Sequence, residues 1–160
     1  MIKQIKSFAY AFRGILYALL NEGHMRFHLV AAAFVIFFGA LFDLSAAEWT
    51  AVCIAIALVI GLELVNTAVE CVCDVCCKEE NPLIKAAKDS AAGAVLVAAA
   101  ASVAVACFVF IKPQKIAAVY SIFIGNPLYI ALLFTALCLG ILFIAKFRIK
   151  RDSDKNRSKK

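Results

Sequence analysis

Hydrophobic and polar positions divide the chain into one amphipathic segment and several long apolar runs. Over residues 1–20, apolar side chains recur every three or four positions, while the lysines and the arginine lie largely off that stripe. This period is that of an α-helix with one apolar face. A basic amphipathic helix beside a membrane span typically lies in the membrane interface. The pattern therefore predicts an N-terminal interfacial helix.

Three apolar runs follow, and each is long enough to form or nearly form a membrane span. The first, residues 29–42, covers only about 21 Å as a helix, less than the roughly 30 Å of a bilayer core. We therefore expect it to extend back through residues 26–28, after a polar break that begins at residue 21. The second span is predicted from Trp49 to about Cys77, and the third, rich in alanine, over residues 90–111. Small residues let helices approach closely, which favours a place for the third span inside a bundle.

Polar segments separate these runs, and a further apolar region follows them. Residues 43–48 form an acidic connection, and residues 78–89 are predicted as a charged loop in which Asn81-Pro82 is a turn or helix start. Beyond residue 112, a fourth span is expected at about residues 127–146, with residues 116–124 as an interfacial or connecting piece. The predicted organisation is a core (1–111), an additional C-terminal membrane segment (112–147) and a basic disordered tail (148–160).

The composition supports a membrane protein rather than a soluble one. Hydrophobic residues make up 64% of the 160 residues, whereas soluble domains are typically about half apolar. One small domain could not bury this much apolar surface away from water. The predicted fold class is an all-α integral membrane bundle: the interfacial helix, three core spans and a fourth C-terminal span.

Charge predicts the orientation of the spans. The net charge is +6, and Lys and Arg gather at both ends of the chain and around residues 78–88. Such clusters beside apolar spans mark cytoplasmic segments and contact anionic lipids. Four spans place all three clusters in the cytoplasm of a plasma-membrane protein, with residues 43–48 and 112–115 outside, although the second of these carries two lysines. No base-stacking or groove-reading element is evident, so we expect no nucleic-acid partner.

Cysteine and histidine positions offer a weaker signal for metal binding. The seven cysteines are an odd number and lie in or beside apolar spans, which does not suit a secreted disulfide framework. Four of them fall within residues 71–77, but on one helix they do not converge on a point as zinc requires. We expect small, reduced packing residues there. His24 and His28 are four residues apart, and a polar interface explains them better than a metal.

The most informative polar residues lie on the second span. Glu63, Asn66, Glu70 and Asp74 are three, four and four residues apart, so a helix places them on one face. Ionisable groups within spans are costly and usually line a polar interior. Asp74 alone could simply solvate the helix end. Glu63 has apolar residues on both sides, which indicates a function.

Two further polar pairs are expected on the same side of the membrane. Glu22 and Arg26 precede the first span, and Lys88-Asp89 enters the third. Carboxylates can hold Mg²⁺, a lysine can neutralise phosphate, and another carboxylate can accept a proton from an attacking hydroxyl. This set suits phosphoryl transfer to an alcohol, and it is equally compatible with cation transport.

Sequence blocks around these residues resemble the prokaryotic diacylglycerol kinase and undecaprenol kinase family of small membrane enzymes. The blocks are Glu-Leu-Val-Asn-Thr-Ala-Val-Glu at 63–70 followed by Asp74, Lys-Asp-Ser-Ala-Ala-Gly-Ala-Val-Leu at 88–96, and Asn21-Glu22 with Arg-Phe-His-Leu at 26–29. They occur in the family's order and spacing and cover about residues 1–111. The Ala-Ala-Gly-Ala-Val form is more similar to the undecaprenol kinase branch. His24 and Asn81 depart from that branch, where Asn and His are expected.

The resemblance implies a function for each residue in this set. Such enzymes are homotrimers with active sites between subunits. Glu63 would be the general base, Glu22 and Glu70 would bind Mg²⁺ with ATP, and Asn66, Asp74 and Arg26 would position the reactants. The residues implied in nucleotide binding are Tyr10, Arg13, Glu22, Glu70, Lys88 and Asp89. The absence of a Gly-x-x-x-x-Gly-Lys-Ser/Thr loop fits phosphates held by side chains and metal.

Four hypotheses follow for the function. The leading one is an ATP-dependent kinase that phosphorylates undecaprenol on the cytoplasmic side of the membrane, and the nearest alternative is a kinase for diacylglycerol. A small cation transporter could use Glu63 and Glu70 as a carboxylate relay. A non-catalytic subunit could use the fourth span to bind a partner.

Overall fold

The computed structural model describes residues 2–76 and 81–157, and within these ranges the chain is helical with no strand. The predicted all-α class is therefore confirmed. The six helices are α1 (Ile2–Asn21), α2 (Gly23–Leu41), α3 (Ala46–Cys76), α4 (Pro82–Phe110), α5 (Pro113–Gly125) and α6 (Pro127–Arg157).

Four of these helices are long and apolar enough to cross a membrane, namely Gly23–Leu41, Ala46–Cys76, Pro82–Phe110 and Pro127–Ala145. Most of their surface is exposed, as expected for helices that are covered by lipid. α3 has 31 residues, or about 46 Å of helix, so it extends beyond a bilayer core of about 30 Å. The most extensive helix contact is that of α3 with α4. The other sides of α4 are largely exposed in one chain, so a place for this span inside a bundle stays a prediction.

The junction of α1 and α2 is shorter than the sequence suggested. The polar break predicted from residue 21 to residue 28 is reduced to Glu22, whose backbone is extended, and α2 begins at Gly23. Met25 and Arg26 are buried in the first turns of α2. Their side chains pack inward, so polar composition alone misplaced the start of the helix.

The α2–α3 connection is stabilised at both ends. Asp43 adopts a positive φ of 46° after the last turn of α2, a conformation that commonly ends helices. The Ser45 hydroxyl and the Glu48 carboxylate form a capping box: Ser45 N donates to Glu48 Oε2 at 2.8 Å, and Glu48 N donates to Ser45 Oγ at 3.3 Å. The acidic connection predicted over residues 43–48 is therefore shorter, because α3 starts at Ala46 rather than at Trp49. Cys77, the predicted end of this span, lies outside the described residues.

α4 begins earlier than the charged loop predicted for residues 78–89 would allow. Asn81 caps the helix by accepting a hydrogen bond from Leu83 N at 2.9 Å, and Pro82 occupies the first turn. The helix start at Asn81-Pro82 is confirmed. The loop prediction is wrong for residues 82–89, which are helical despite their charge because the cap and the proline favour helix from that point.

Two further helices, α5 and α6, follow α4 and pack against the preceding helices. α5 is a separate helix that covers the predicted connecting piece, and its Val119 joins a buried cluster with Phe42, Leu44, Val52 and Val109. α6 packs on α2, α5 and α1. It continues to Arg157, whereas a disordered tail was predicted from residue 148, because extending an existing helix requires no new nucleus. The division into a core and an additional segment stays a prediction.

Both lysines in the connection predicted to lie outside contact the α2–α3 connection. Lys112 forms an ion pair with Glu48, and Lys115 Nζ donates to the Asp43 carbonyl at 2.7 Å. These contacts join the α4–α5 connection to the α2–α3 connection. The orientation of the spans stays a prediction, and the two lysines of this connection still count against it.

We expect Lys112→Met and Glu48→Gln each to lower the melting temperature of the purified protein in detergent. The double variant should melt close to the lower of the two single variants, because both remove the same contact. Thermal unfolding of the four proteins measures this coupling. Additive losses would show that Lys112 and Glu48 stabilise the fold separately. Lys115→Met is the matched control, since that side chain binds a carbonyl rather than Glu48.

Candidate active site

The polar stripe predicted on the second span begins at buried residues in the middle of α3 and ends at Asp74, which is exposed. Glu63 is 3% exposed, Thr67 5% and Asn66 8%. Asn66 Nδ2 donates to Glu70 Oε1 at 2.9 Å, and Thr67 Oγ1 donates to the backbone carbonyl of Glu63 at 2.9 Å. The Asn66 amide therefore orients the Glu70 carboxylate, and the stripe forms a connected polar strip inside a largely apolar helix.

The α1–α2 junction lies against this strip. Arg26 is 3% exposed, and its Nη1 donates to the carbonyls of Leu19 and Leu20 at 3.0 and 3.2 Å. These carbonyls belong to the last turn of α1. Carbonyl groups in the last turn of a helix have no hydrogen-bond donor within that helix. A buried cation at a helix C-terminus also interacts favourably with the helix dipole. Arg26 thus fastens the end of α1 to the start of α2 and fixes the position of Glu22 between them.

Titratable groups of this junction and of α3 itself lie near Glu63. Glu22, His24 and Glu70 are close enough to act on its carboxyl group electrostatically. The carboxylates of Glu22, Glu63 and Glu70 therefore lie close to one another's electrostatic influence at Glu63. This is the convergence that the sequence predicted for Glu22 with the α3 stripe.

Toward the C-terminal end of α3, the strip reaches α4. Lys88 forms an ion pair with Asp74, and its ammonium group also lies within electrostatic range of Glu70. On the other side, Cys71 Sγ donates to Tyr17 OH at 3.6 Å. The strip is thus bordered by α1 on one side and α4 on the other.

Three of the predicted nucleotide-binding residues make no contact with the polar strip that is described above. Tyr10 and Arg13 are exposed on α1, where the Arg13 guanidinium lies 5.9 Å from the centre of the Tyr10 ring. Asp89 is exposed on α4, one position beyond Lys88. The fold of one chain does not bring them to Glu63, and their proposed function stays a prediction.

The described residues contain no ready-made metal centre. Within the described ranges, no group of three or more His, Cys, Asp or Glu side chains could hold a metal ion. Cys71, Cys73 and Cys76 form no such group, and Cys77 lies outside these ranges. Glu22 and Glu70, which both act electrostatically on Glu63, carry carboxylate oxygens of the kind that magnesium prefers. A magnesium ion commonly uses one or two carboxylates and completes its shell with phosphate and water, so the pair fits an ion that arrives with a nucleotide.

Some residues of the site were not singled out from the sequence. Thr67 is buried four residues after Glu63, and helical spacing could have placed it on the same face. Tyr17 lies on α1, and no local pattern indicated its contact with Cys71. His24 was expected at a polar interface, and the structure places it near Glu63.

A comparison with protein families matches residues 9–110 to the family described as prokaryotic diacylglycerol kinase. The match covers α1 from residue 9 onward and all of α2 to α4, and it includes every residue of the strip. The chain belongs to the prokaryotic diacylglycerol kinase family. As a member, it is a lipid kinase, a phosphotransferase with an alcohol acceptor. α5 and α6 lie beyond the matched residues.

Two relatives within the family carry names that differ in their acceptor. The chain is 42% identical to the undecaprenol kinase of Bacillus subtilis over 106 residues, which are 66% of this chain and 86% of the relative. It is 39% identical to a diacylglycerol kinase of Synechocystis over 108 residues, which are 67% of this chain and 62% of that relative. The family assignment favours the kinase hypotheses over cation transport or a non-catalytic subunit.

Proposed function

We propose that the protein transfers the γ-phosphoryl group of ATP to the hydroxyl of undecaprenol, giving undecaprenyl phosphate and ADP. The observation that carries this proposal is the burial of Glu63 in a membrane helix, beside carboxylates of Glu22 and Glu70. A carboxylate in that position can act on the hydroxyl of a lipid that stays in the bilayer. The similarity to the Bacillus subtilis enzyme supports the choice of acceptor.

The depth of Glu63 fits a lipid hydroxyl near the membrane surface. Trp49 lies in the first turns of α3, and such a Trp typically marks a membrane interface. Glu63 follows fourteen residues later, or about 21 Å along the helix. In a bilayer core of about 30 Å, this places Glu63 in the leaflet opposite Trp49. Glu63 then lies within the membrane, near the surface on which the basic segments of the chain lie. We propose that this surface is cytoplasmic.

In the proposed reaction, the Glu63 carboxylate accepts the proton of the acceptor hydroxyl. The hydroxyl oxygen attacks the γ-phosphorus, and the bond from that phosphorus to the bridging oxygen breaks, so ADP leaves with the bonding electrons. Lys88, held by Asp74, would offset negative charge on the phosphates. Asn66 would keep Glu70 oriented through the hydrogen bond described above.

Glu22 and Glu70 would hold Mg²⁺ that is bound together with ATP. That ion would neutralise phosphate charge, which supplies much of the stabilisation in phosphoryl transfer. Tyr10, Arg13 and Asp89 lie away from Glu63 in one chain, which supports an assembly in which a neighbouring subunit completes the nucleotide site. The proposed assembly is a homotrimer.

The acceptor is tested by competition in a single mixed micelle. Undecaprenol and diacylglycerol are supplied at equal mole fraction with Mg²⁺ and radiolabelled ATP, and both products are quantified. We expect undecaprenyl phosphate to predominate by about tenfold or more, a difference that pocket contacts with a lipid can supply. Predominance of phosphatidic acid would assign the diacylglycerol activity instead, in line with the Synechocystis relative.

A further inference from the structure

The net positive charge of the chain is concentrated in its last fifteen residues. Residues 146–160 contain eight Lys or Arg and two Asp, so this segment has a formal charge of +6, equal to that of the whole chain. The four cations that come first have no acid between them. We call these four the juxtamembrane cations: Lys146, Arg148, Lys150 and Arg151. They lie beyond residues 9–110, which match the family, and the candidate active site uses none of them.

α6 brings this segment to the side of the membrane on which the α1–α2 junction lies. Gly140 of α6 approaches Val30 in the first half of α2, where a Cβ atom on Gly140 would lie 3.0 Å from Val30 Cγ1. Leu133, earlier in α6, instead lines a cavity with Phe38 in the last turns of α2. α6 is therefore antiparallel to α2. The start of α2 lies seven residues before Val30, so it is level with about residue 147 of α6.

The juxtamembrane cations lie just past the apolar part of α6. The candidate span ends at Ala145, while the helix continues to Arg157. Along the helix axis, all four cations fall within about 9 Å of Ala145, which is close to one Debye length at physiological ionic strength. Phe147 and Ile149 alternate with the first of them. Apolar residues among cations favour a membrane interface over open water, so this stretch lies at the level of the lipid headgroups.

The charges that follow are mixed in sign and lie farther from the membrane. Asp152 and Asp154 come next, and Lys155 is about 15 Å beyond Ala145 along the helix axis. At that distance, the attraction between a cation and anionic headgroups is largely screened by salt. Proximity to the membrane therefore distinguishes the juxtamembrane cations from the later lysines and arginine.

We infer that the juxtamembrane cations bind the phosphodiester headgroups of anionic phospholipids such as phosphatidylglycerol. Charge complementarity supports this partner, since a cluster of cations directly beside a span attracts an anionic membrane surface. Headgroups are also present at that level at all times, whereas a nucleotide must arrive from solution. The inference goes beyond the proposed function, because this lipid is a component of the bilayer and not a reactant. Since α6 packs on α1 and α2, bound headgroups would lie beside the junction that carries Glu22.

The test compares two variants that each replace four cations with glutamine. The juxtamembrane variant removes the cations nearest the span: Lys146→Gln, Arg148→Gln, Lys150→Gln and Arg151→Gln. The distal variant is the matched control and removes the same amount of charge farther out: Lys155→Gln, Arg157→Gln, Lys159→Gln and Lys160→Gln. Full-length proteins are placed in phosphatidylcholine vesicles with spin-labelled phosphatidylglycerol or spin-labelled phosphatidylcholine. Electron paramagnetic resonance gives the fraction of each label that contacts the protein, and hence the ratio of the two association constants.

We expect the wild-type protein to prefer phosphatidylglycerol. The juxtamembrane variant should lower the ratio of association constants by about fivefold, while the distal variant changes it less than twofold. In 1 M NaCl, where the Debye length is about 3 Å, the wild-type ratio should fall to that of the juxtamembrane variant. Equal losses in both variants, or an unchanged ratio in the juxtamembrane variant, would overturn the inference. If that variant melts below the wild type in detergent, Lys150→Gln/Arg151→Gln replaces it, with Lys155→Gln/Arg157→Gln as its control.

Nucleotide binding separates the lipid from the other phosphate-bearing partner. The dissociation constant of a fluorescent ATP analogue is measured for the wild type and both variants, and we expect all three values to agree within twofold. A weaker dissociation constant in the juxtamembrane variant, with unchanged preference for phosphatidylglycerol, would assign these cations to the nucleotide and refute the inference. Failure to phosphorylate any polyprenol would instead refute the proposed function, and the lipid measurement would still decide the inference.

Discussion

Glu63→Gln is expected to lower kcat for lipid phosphorylation by about 10²- to 10⁴-fold, the range typical for loss of a general base. Glutamine keeps the size of the side chain but does not accept the hydroxyl proton. The Thr67 hydrogen bond goes to the backbone carbonyl of residue 63, so it persists in the variant. The fold should therefore be retained. Steady-state rates with Mg²⁺-ATP and undecaprenol measure the effect, alongside the melting temperature.

The matched control for this substitution is Glu48→Gln. Glu48 lies on the same helix but in its first turn, where it pairs with Lys112 at the far end of the bundle. Assayed well below its melting temperature, this variant should keep wild-type kcat. If Glu63→Gln retains full activity, the proton is accepted elsewhere and the assigned base is wrong.

Arg26→Met should produce the second large effect, a loss of about 2 kcal/mol in stability, the scale for hydrogen bonds to a charged group. The variant leaves the Leu19 and Leu20 carbonyls without the guanidinium that binds them. The end of α1 should then separate from α2 and displace Glu22 from Glu63. We therefore also expect kcat to fall about tenfold, as in other displaced sites. Chemical or thermal unfolding in detergent and initial rates measure the two effects.

Arg26→Lys tests whether charge or geometry matters at this junction. Lysine keeps the positive charge but lacks the guanidinium, whose Nη1 donates to both carbonyls. Its stability and kcat should fall between those of the wild type and Arg26→Met. Wild-type stability in Arg26→Met would show that the guanidinium does not hold α1 in place.

Helix periodicity predicted much of the candidate site because its central residues are neighbours on one helix. Glu63, Asn66 and Glu70 share a face at spacings of three and four, and the Asn66–Glu70 hydrogen bond follows from that spacing. The membrane character also followed from composition, since no water-facing core could cover so much apolar surface. The bounds of the helices were less predictable. α2 begins before its apolar run because Met25 and Arg26 pack inward. α3 and α4 begin before theirs because Ser45 and Asn81 cap them.

The sequence by itself determined the class of the protein, its membrane helices and the carboxylate face of α3, because these depend on local spacing and on apolar content. The tertiary structure decided which distant groups meet that face. Lys88 pairs with Asp74 across two helices, and Arg26 turns back onto α1 instead of facing the α3 strip. It also decided that α6 lies against α2 and ends on the side of the α1–α2 junction. Such contacts depend on how whole helices pack, and that packing is set by many weak interactions rather than by a local pattern.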